Sequence, residues 1–426
     1  MVRIALGLRS RFGRLLAASA VSRLGSGLHL AAFPILATSL TSDPRVIAAV
    51  ALASAVPGIA LALPVGAWVD LSHRGRLMVG SDLACAAILA AFLVLLVTGS
   101  LRLWMLFAAA VLLGVAELVF GTSSFALVPS LVPAVELERA NGQLATVAEI
   151  GQGVIGPAVG GSAYAAAPFL PFALNGLSYL GSSALIGSFA WHRHPAPPAN
   201  DAEQDLPDRR IRWLELVAGI ALVRRDRIAR TTLVLAATSG LFGWMPEGTL
   251  VLFARQDLHA TAGEIGLLLA ITTVGAVLGG LVAGRAGRRW GTAVVLAVTY
   301  GMYGALLIPV AFAGSVWPVA VIFFVQGLPL IICNATISSV QQRAVPGRLL
   351  GRFAAVRRVV DGAVVPIGLA AGGFLAGWLG MRPVWAIAGI GFLTVLALNS
   401  AALRALAANQ SATASSTTTT TSAAEP

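Results

Sequence analysis

The chain is 426 residues long; 57% of its residues are hydrophobic and only 11% are charged, whereas soluble domains carry about 25% charged residues. This composition excludes a soluble globular protein, because so few polar side chains could not cover its surface. The net charge of +11 does not indicate a nucleic-acid partner, because every basic residue is an arginine and the arginines flank apolar runs, where they set membrane topology.

Apolar runs recur along the whole chain. A helix needs about 20 apolar residues to cross a bilayer, and twelve runs meet this requirement. The sequence therefore predicts an all-α membrane protein with twelve transmembrane helices. The runs lie at roughly 15–38, 46–69, 77–98, 103–126, 142–165, 169–190, 231–253, 264–284, 292–313, 317–338, 353–379 and 384–406.

Two polar stretches interrupt the apolar runs: one lies in the middle of the chain and the other at its C-terminal end. Residues 191–230 open with a proline-rich linker, and 211–223 place apolar residues on one helical face. That segment is too short to span, so it predicts an interfacial helix in a cytoplasmic linker. The last residues are rich in Ser, Thr and Ala, which predicts disorder. The expected organisation is a six-helix half at 1–190, the linker, a second six-helix half at 231–406, and a disordered cytoplasmic tail at 407–426.

The arginines are distributed unevenly between the two sides of the predicted spans. Four lie in connections on one side and 24 on the other. Because arginines accumulate in cytoplasmic loops, we predict a multi-pass protein of the cell (inner or plasma) membrane with both termini in the cytoplasm. The four on the far side are Arg45, Arg102, Arg255 and Arg382.

The chain contains an internal repeat. A segment from Gly66 to Arg76 follows the second run, and a related segment from Gly280 to Arg289 lies 214 residues later. In each, a small residue ends an apolar run and an arginine-rich turn opens the next. Glycines of the fifth run also recur in the eleventh, 212 residues on. The repeat predicts two parallel halves, an arrangement of secondary transporters, which bind substrate near the bilayer midplane.

The repeated segments resemble a known family signature. Gly66-x3-Asp70-x3-Arg74-x-Arg76 looks like the loop after the second span in the major facilitator superfamily. The segment that begins at Gly280 looks like its counterpart in the second half. The resemblance covers about residues 12–406. The loop departs from the family pattern at Leu71 and His73, and Gly284 stands where the first half has Asp70.

Two further motifs resemble exporters within this superfamily. A Gly-Pro-x-x-Gly-Gly sequence in the fifth run is similar to the signature of drug:proton antiporters, although Gln152 stands where that signature has glycine. The segments Ser22–Gly27 and Val345–Arg352 resemble the branch that includes macrolide-efflux and enterobactin-exporter proteins. The residues of the antiporter motif are Gly153, Gly156, Pro157, Gly160 and Gly161.

The resemblance implies roles for these motifs. The carboxylate of Asp70 would latch the two halves on the cytoplasmic side by facing the positive end of a helix. The alternative is that the nearby arginines only fix topology. The fifth-run glycines would allow close helix approach at an interface that rocks, and the alternative is ordinary helix packing. The residues assigned to the gating loops are Gly66, Asp70, Arg74, Arg76, Gly280, Arg285, Gly287, Arg288, Arg289 and Arg357.

Charged residues inside the apolar runs are candidate functional residues, because a charge at a helix centre costs about 2.5–3.5 kcal/mol on insertion scales. By resemblance, the first, fourth, seventh and tenth spans line the cavity. Glu117 would bind and release a proton there, with Arg23 as its counter-charge; a static ion pair is the alternative. Glu149 and Asp361 are more consistent with gating or structural roles. The candidate cavity residues are Glu117, Arg23, Glu247, His29, Gln326 and Asn334.

The resemblance implies a secondary active exporter, which would move an amphiphilic drug, antibiotic or siderophore-like molecule outward in exchange for protons. The alternatives are a proton-coupled uptake symporter and a non-transporting membrane scaffold or receptor. The sequence has no Gly-Lys-Ser/Thr phosphate loop and no His-Glu-x-x-His motif, so we expect no enzyme activity, cofactor or metal. Cys85 and Cys333 are expected to be buried hydrophobes. The expected partners are the substrate, protons and membrane lipid, and the expected state is a monomer.

Overall fold

The computed structural model describes residues 10–190, 226–344 and 347–422, and over these residues it is helical with no strand. The helices of the first range are α1 (Arg11–Leu40), α2 (Pro44–Ala60), α3 (Ala62–Asp70), α4 (Arg74–Val97), α5 (Leu103–Leu127), α6 (Leu137–Ala148), α7 (Gly156–Ala166) and α8 (Leu170–Ala190). The later helices are α9 (Arg227–Glu247), α10 (Leu250–Gln256), α11 (Ala262–Trp290), α12 (Thr292–Val310), α13 (Val316–Ala344), α14 (Gly347–Leu379) and α15 (Met381–Ser422).

These helices form twelve consecutive segments in the described residues, because α2–α3, α6–α7 and α9–α10 are each one interrupted segment. Eight helices are long and apolar enough to cross a membrane, or nine spans if α2 and α3 are counted as one bent span. The remaining segments are α6–α7, α8 and α9–α10; the first and last are broken, and α8 carries several polar residues. The all-α membrane fold is confirmed, and the segments match the twelve predicted runs.

Prolines explain where the segments are interrupted. The chain bends by 52° between α2 and α3, where Pro57 and Pro64 flank the break. A π-helix, Glu149–Ile155, joins α6 to α7 just before Pro157. Proline lacks the N–H that a helix needs and its ring crowds the preceding turn, so helices bend, widen or end beside it. π-Helical turns are frequent at functional sites, and this one overlaps the antiporter motif.

Local sequence also fixes several helix starts. The side chain of Ser10 accepts a hydrogen bond from the backbone N–H of Gly13 at 2.9 Å and caps α1. Thr261 and Glu264 form a reciprocal capping box at the start of α11, with distances of 2.8 Å and 3.3 Å. Such caps satisfy backbone donors that have no partner within the helix.

The described residues group into two compact units by contact. Unit one contains 10–190 together with Gly248–Thr273 and Gly314–Val316, and unit two contains the rest. This grouping differs from the expected division at the 191–230 linker, since α10 and the start of α11 join unit one. The predicted interfacial helix at 211–223 lies outside the described residues.

Contacts within unit one explain why α10 groups with α1. The guanidinium of Arg255 on α10 donates to Thr38 Oγ1 at 2.8 Å and to the carbonyl of Ile35 at 3.2 Å, both on α1. Such contacts between residues more than 200 positions apart follow from the fold and not from the chain order.

The internal repeat is visible in the packing of each unit. In unit one, a Cβ atom on Gly156 would lie 2.5 Å from the Cα of Gly27 on α1. In unit two, a Cβ on Gly368 would lie 2.7 Å from the carbonyl oxygen of Leu241 on α9. The glycines related by sequence therefore serve the same purpose, which is close approach of α7 to α1 and of α14 to α9.

Two segments are helical where the sequence predicted otherwise. Helix α15 continues to Ser422, although we expected disorder from residue 407. The stretch 392–422 contains neither Gly nor Pro and is rich in alanine, the strongest helix former, so nothing local ends the helix. Helix α11 likewise continues through the predicted turn at Arg285–Arg289, and the chain turns at Gly291, whose φ is +77°.

Candidate functional site

Glu117 lies at the centre of a polar cluster inside unit one. Its Oε1 atom accepts hydrogen bonds from Ser26 Oγ at 2.7 Å and from the Tyr179 hydroxyl at 2.8 Å. The two hydroxyl oxygens are 3.1 Å apart. The Nε2 atom of His29 lies 3.8 Å from the same carboxylate oxygen. Helices α1, α5 and α8 therefore converge on one carboxylate.

The ring of His29 is oriented by a hydrogen bond. The Nδ2 atom of Asn175 lies 2.9 Å from His29 Nδ1. The Nε2 atom faces Glu117 Oε1 at 3.8 Å, which is too long for a direct hydrogen bond. The imidazole of His29 therefore lies beside the carboxylate and is held there by Asn175.

Arg23 has a different partner from the one that the sequence suggested. Its Nη1 atom donates to Gln152 Oε1, in the π-helix, at 3.2 Å. Within the described residues, no ion pair joins Arg23 to Glu117. The guanidinium of Arg23 therefore bonds to the π-helix in this structure, and a role as counter-charge of Glu117 stays a prediction. Gln152, which stands where the antiporter signature has glycine, accepts this hydrogen bond from Arg23.

One buried carboxylate, Asp82 on α4, was not predicted as a site residue from the sequence. Its side chain is only 1% exposed, and Ser22 Oγ donates to its Oδ1 atom at 3.4 Å. The signal was present in the sequence, because Asp82 lies in the third apolar run and shares a helical face with Cys85 and Leu89, which are also buried. Both carboxylates border one crevice, lined by Ser22, Arg23, Ser26, Asp82, Glu117 and Tyr179 among others.

Among the described residues of unit two, no hydrogen bond joins the candidate cavity residues Glu247, Gln326 and Asn334 to one another. Glu247 is exposed at the end of α9, and Asn334 is exposed on α13. Gln326 is only 4% exposed, and its amide lies 3.5 Å from the carbonyl oxygen of Tyr303, at the long limit of a hydrogen bond. Gln326 on α13 is therefore packed against α12, and its place in a substrate cavity stays a prediction.

Arg74 of the first gating loop bonds to the end of a neighbouring helix. The guanidinium of Arg74 donates to the carbonyl oxygen of Ala126, in the last turn of α5, at 2.8 Å. A cation at this helix end satisfies a free carbonyl and interacts favourably with the helix dipole. Asp70 and Arg76 are exposed on either side, and Gly66 has open space where a side chain would lie.

We expect Arg74→Met to lower the free energy of unfolding by about 1–2 kcal/mol, because the last carbonyls of α5 lose a charged donor. Unfolding of the purified protein in detergent measures the change. Arg102→Met is the matched control, since Arg102 is exposed at the other end of α5 and its side chain does not cap the helix. Equal stability of the two variants would contradict the capping role.

In the second gating segment, Gly280 packs against α13, where its Cβ would lie 3.4 Å from Ile331 Cγ2. The guanidinium of Arg289 lies 6.0 Å from the centre of the Trp290 ring. The backbone of Arg285, Gly287 and Arg288 is helical, and their side chains are outside the described part of the structure.

Arg357, which we assigned to a gating loop, connects two helices of unit two. Its Nε atom donates to Asp361 Oδ2 at 3.2 Å, and Nη1 donates to Ser338 Oγ at 3.3 Å. A third hydrogen bond reaches Gln341 Oε1. Because Ser338 and Gln341 lie on α13, these bonds tie α13 to α14.

The antiporter motif is packed on two sides within unit one. Gly156 and Gly160 face the backbone of α1, where a Cβ on Gly160 would lie 2.5 Å from the carbonyl oxygen of Leu28. On the other side, a Cβ on Gly161 would lie 2.7 Å from the Cα of Gly266 on α11, and one on Gly153 would lie 3.0 Å from Thr273 Cγ2. Small residues are therefore required where three helices meet.

Comparison with known proteins identifies a family and several relatives of this chain. The family model described as transmembrane secretion effector (MFS_3) matches residues 8–424. Macrolide efflux protein A of Streptococcus pyogenes is 23% identical over 385 residues, which cover 89% of this chain and 92% of that protein. The uncharacterized MFS-type transporter YfiS of Bacillus subtilis is 23% identical over 400 residues, covering 90% and 92%.

Solved structures share the fold. A mutant of the nucleoside transporter NupG aligns with a TM-score of 0.70 at 13% identity and covers 93% of this chain and 100% of that one. A bacterial homologue of the iron transporter ferroportin aligns with a TM-score of 0.64 at 17% identity, covering 91% and 98%. Together with the family match along almost the whole sequence, these findings show that the chain belongs to the transmembrane secretion effector family of major facilitator superfamily transporters.

Proposed function

We propose that this transporter exports an amphiphilic small molecule by alternating access, in exchange for protons. The observation that carries the proposal is the environment of Glu117. Two hydroxyls donate hydrogen bonds to its carboxylate and the imidazole of His29 lies 3.8 Å away, whereas a direct arginine partner would keep it charged throughout. A carboxyl group held in this way can be protonated in one state of the cycle and ionised in another.

Export is supported by two independent features. Relatives that align along most of the chain are named macrolide efflux proteins, and the antiporter motif of the fifth segment is packed between α1 and α11. We infer a large amphiphilic substrate of the macrolide type. We place the protein in the cell membrane with both termini in the cytoplasm, in accordance with the arginine distribution, and we take it to act as a monomer.

A vesicle experiment tests the direction and the coupling. The full chain is reconstituted into lipid vesicles, and uptake of a radiolabelled macrolide such as erythromycin is measured with the interior made acidic. We expect accumulation that a protonophore abolishes, together with proton release when the macrolide is added. Proton movement in the same direction as the macrolide would establish a symporter, and the absence of any flux would favour a scaffold or receptor.

The exposed carboxylate of Asp70 remains a candidate latch. We expect Asp70→Asn to slow transport about fivefold, because a carboxylate facing a helix N-terminus contributes about 1 kcal/mol. Asp43→Asn is the matched control, since Asp43 caps α2 and asparagine caps equally well. Initial transport rates, normalised to the amount of protein in the membrane, measure the effect. Wild-type rates for Asp70→Asn would exclude the latch.

A further inference from the structure

Asp82 has no role in the cycle described so far, although it is more deeply buried than Glu117. Hydroxyls from two other helices face its carboxylate: Ser22 on α1, whose Oγ lies 3.4 Å from Oδ1, and Ser182 on α8. A fold that keeps such a group inside a membrane span indicates that the group has a function.

The charges around Asp82 do not balance when both carboxylates are ionised. The titratable and charged groups around the two carboxylates are Arg23 and His29 on α1, Tyr179 on α8 and Cys85 on α4; His29 lies 3.8 Å from Glu117. Arg23 supplies one positive charge, while two carboxylates supply two negative charges. Because like charges repel strongly where water is scarce, one additional proton makes the crevice neutral. That proton can be bound by either carboxylate.

We propose that Asp82 is a second proton-binding residue of the transport cycle and exchanges a single proton with Glu117 inside unit one. This inference rests on the proposed proton coupling. The proton leaves the carboxyl group of Glu117 and arrives at the carboxylate of Asp82. Hydroxyls contact both ends of the transfer, Ser26 and Tyr179 at Glu117 and Ser22 at Asp82. One carboxylic acid and one carboxylate are present before and after the step.

The positions of the two residues give the transfer a direction. Asp82 follows the first residue of α4, Arg74, by eight positions, which is about 12 Å of helix rise. Glu117 precedes the last residue of α5, Leu127, by ten positions, or about 15 Å. Asp82 is therefore nearer to the end of unit one at which α4 begins, which is the cytoplasmic end in the proposed orientation.

Asp82→Asn tests the inference in vesicles containing the full chain, with erythromycin as the probe. We expect proton-driven accumulation to fall by about tenfold or more, while exchange of internal for external erythromycin continues at the wild-type rate because it requires no net proton transfer. Glu136→Gln, which removes an exposed carboxylate between α5 and α6, should change neither rate. Wild-type accumulation by Asp82→Asn, or equal loss of accumulation and exchange, would overturn the inference.

Infrared difference spectra recorded across a pH titration provide a measurement that needs no substrate. We expect two carboxyl C=O bands, of which Asp82→Asn removes one and Glu117→Gln the other. Ser22→Ala and Ser26→Ala form a matched pair on α1, since Ser22 donates to Asp82 and Ser26 to Glu117. Each should shift only the band of its own partner. A single band that Asp82→Asn leaves unchanged would refute the role of Asp82. Absence of proton-driven transport by the wild type would instead refute the proposed function.

Discussion

Glu117→Gln should abolish proton-driven transport while leaving the fold and substrate exchange intact. Glutamine has nearly the same shape as glutamate, and its amide oxygen can still accept hydrogen bonds from Ser26 and Tyr179. It cannot bind and release a proton. We therefore expect the proton-driven rate to fall by about 100-fold or more, in the range observed when a positioned proton-transfer group is removed.

The measurement is erythromycin accumulation in reconstituted vesicles with and without a pH gradient, alongside exchange in the absence of a gradient. Glu136→Gln serves as the control for the loss of a carboxylate elsewhere in unit one. If transport by Glu117→Gln still responded to the pH gradient, the cluster around this carboxylate would be structural and the coupling residue would lie elsewhere.

Gly156→Ala should destabilise the protein by about 1–3 kcal/mol, the usual range for overpacking. The added Cβ would lie 2.5 Å from the Cα of Gly27 and about as close to the carbonyl of Gly151. Because both are backbone atoms, no side-chain rotation can relieve the overlap, and α7 must move away from α1. We expect reduced recovery of folded protein, a lower unfolding temperature in detergent and slower transport.

Gly142→Ala is the matched control on α6, since the same substitution there meets no atom within 4 Å. Alanine is a better helix former than glycine by about 0.5–1 kcal/mol, so this variant should be at least as stable as the wild type. If both variants had the same stability, close backbone approach would not be the reason for glycine at position 156.

Many features of this protein are local or periodic, and the sequence was sufficient to predict them. Membrane spans follow from the length of apolar runs, and each break in a segment lies beside a proline such as Pro64 or Pro157. The duplication follows from glycines and arginines that recur at a fixed distance. Glu117 was recognisable as a candidate because a charge inside a span is rare.

Only the tertiary structure decided which side chains meet in the crevice. Ser22 and Asp82 are 60 positions apart, and Ser26 and Tyr179 are 153 apart. Arg23 interacts with Gln152 rather than with Glu117, and Arg357 is held within unit two. Partners of this kind depend on how each helix is rotated about its axis and on which helices become neighbours. Hydropathy sets where a helix begins and ends, but contacts among all the helices set its rotation, and so the convergence of Asp82 and Glu117 on one crevice was not evident from the sequence.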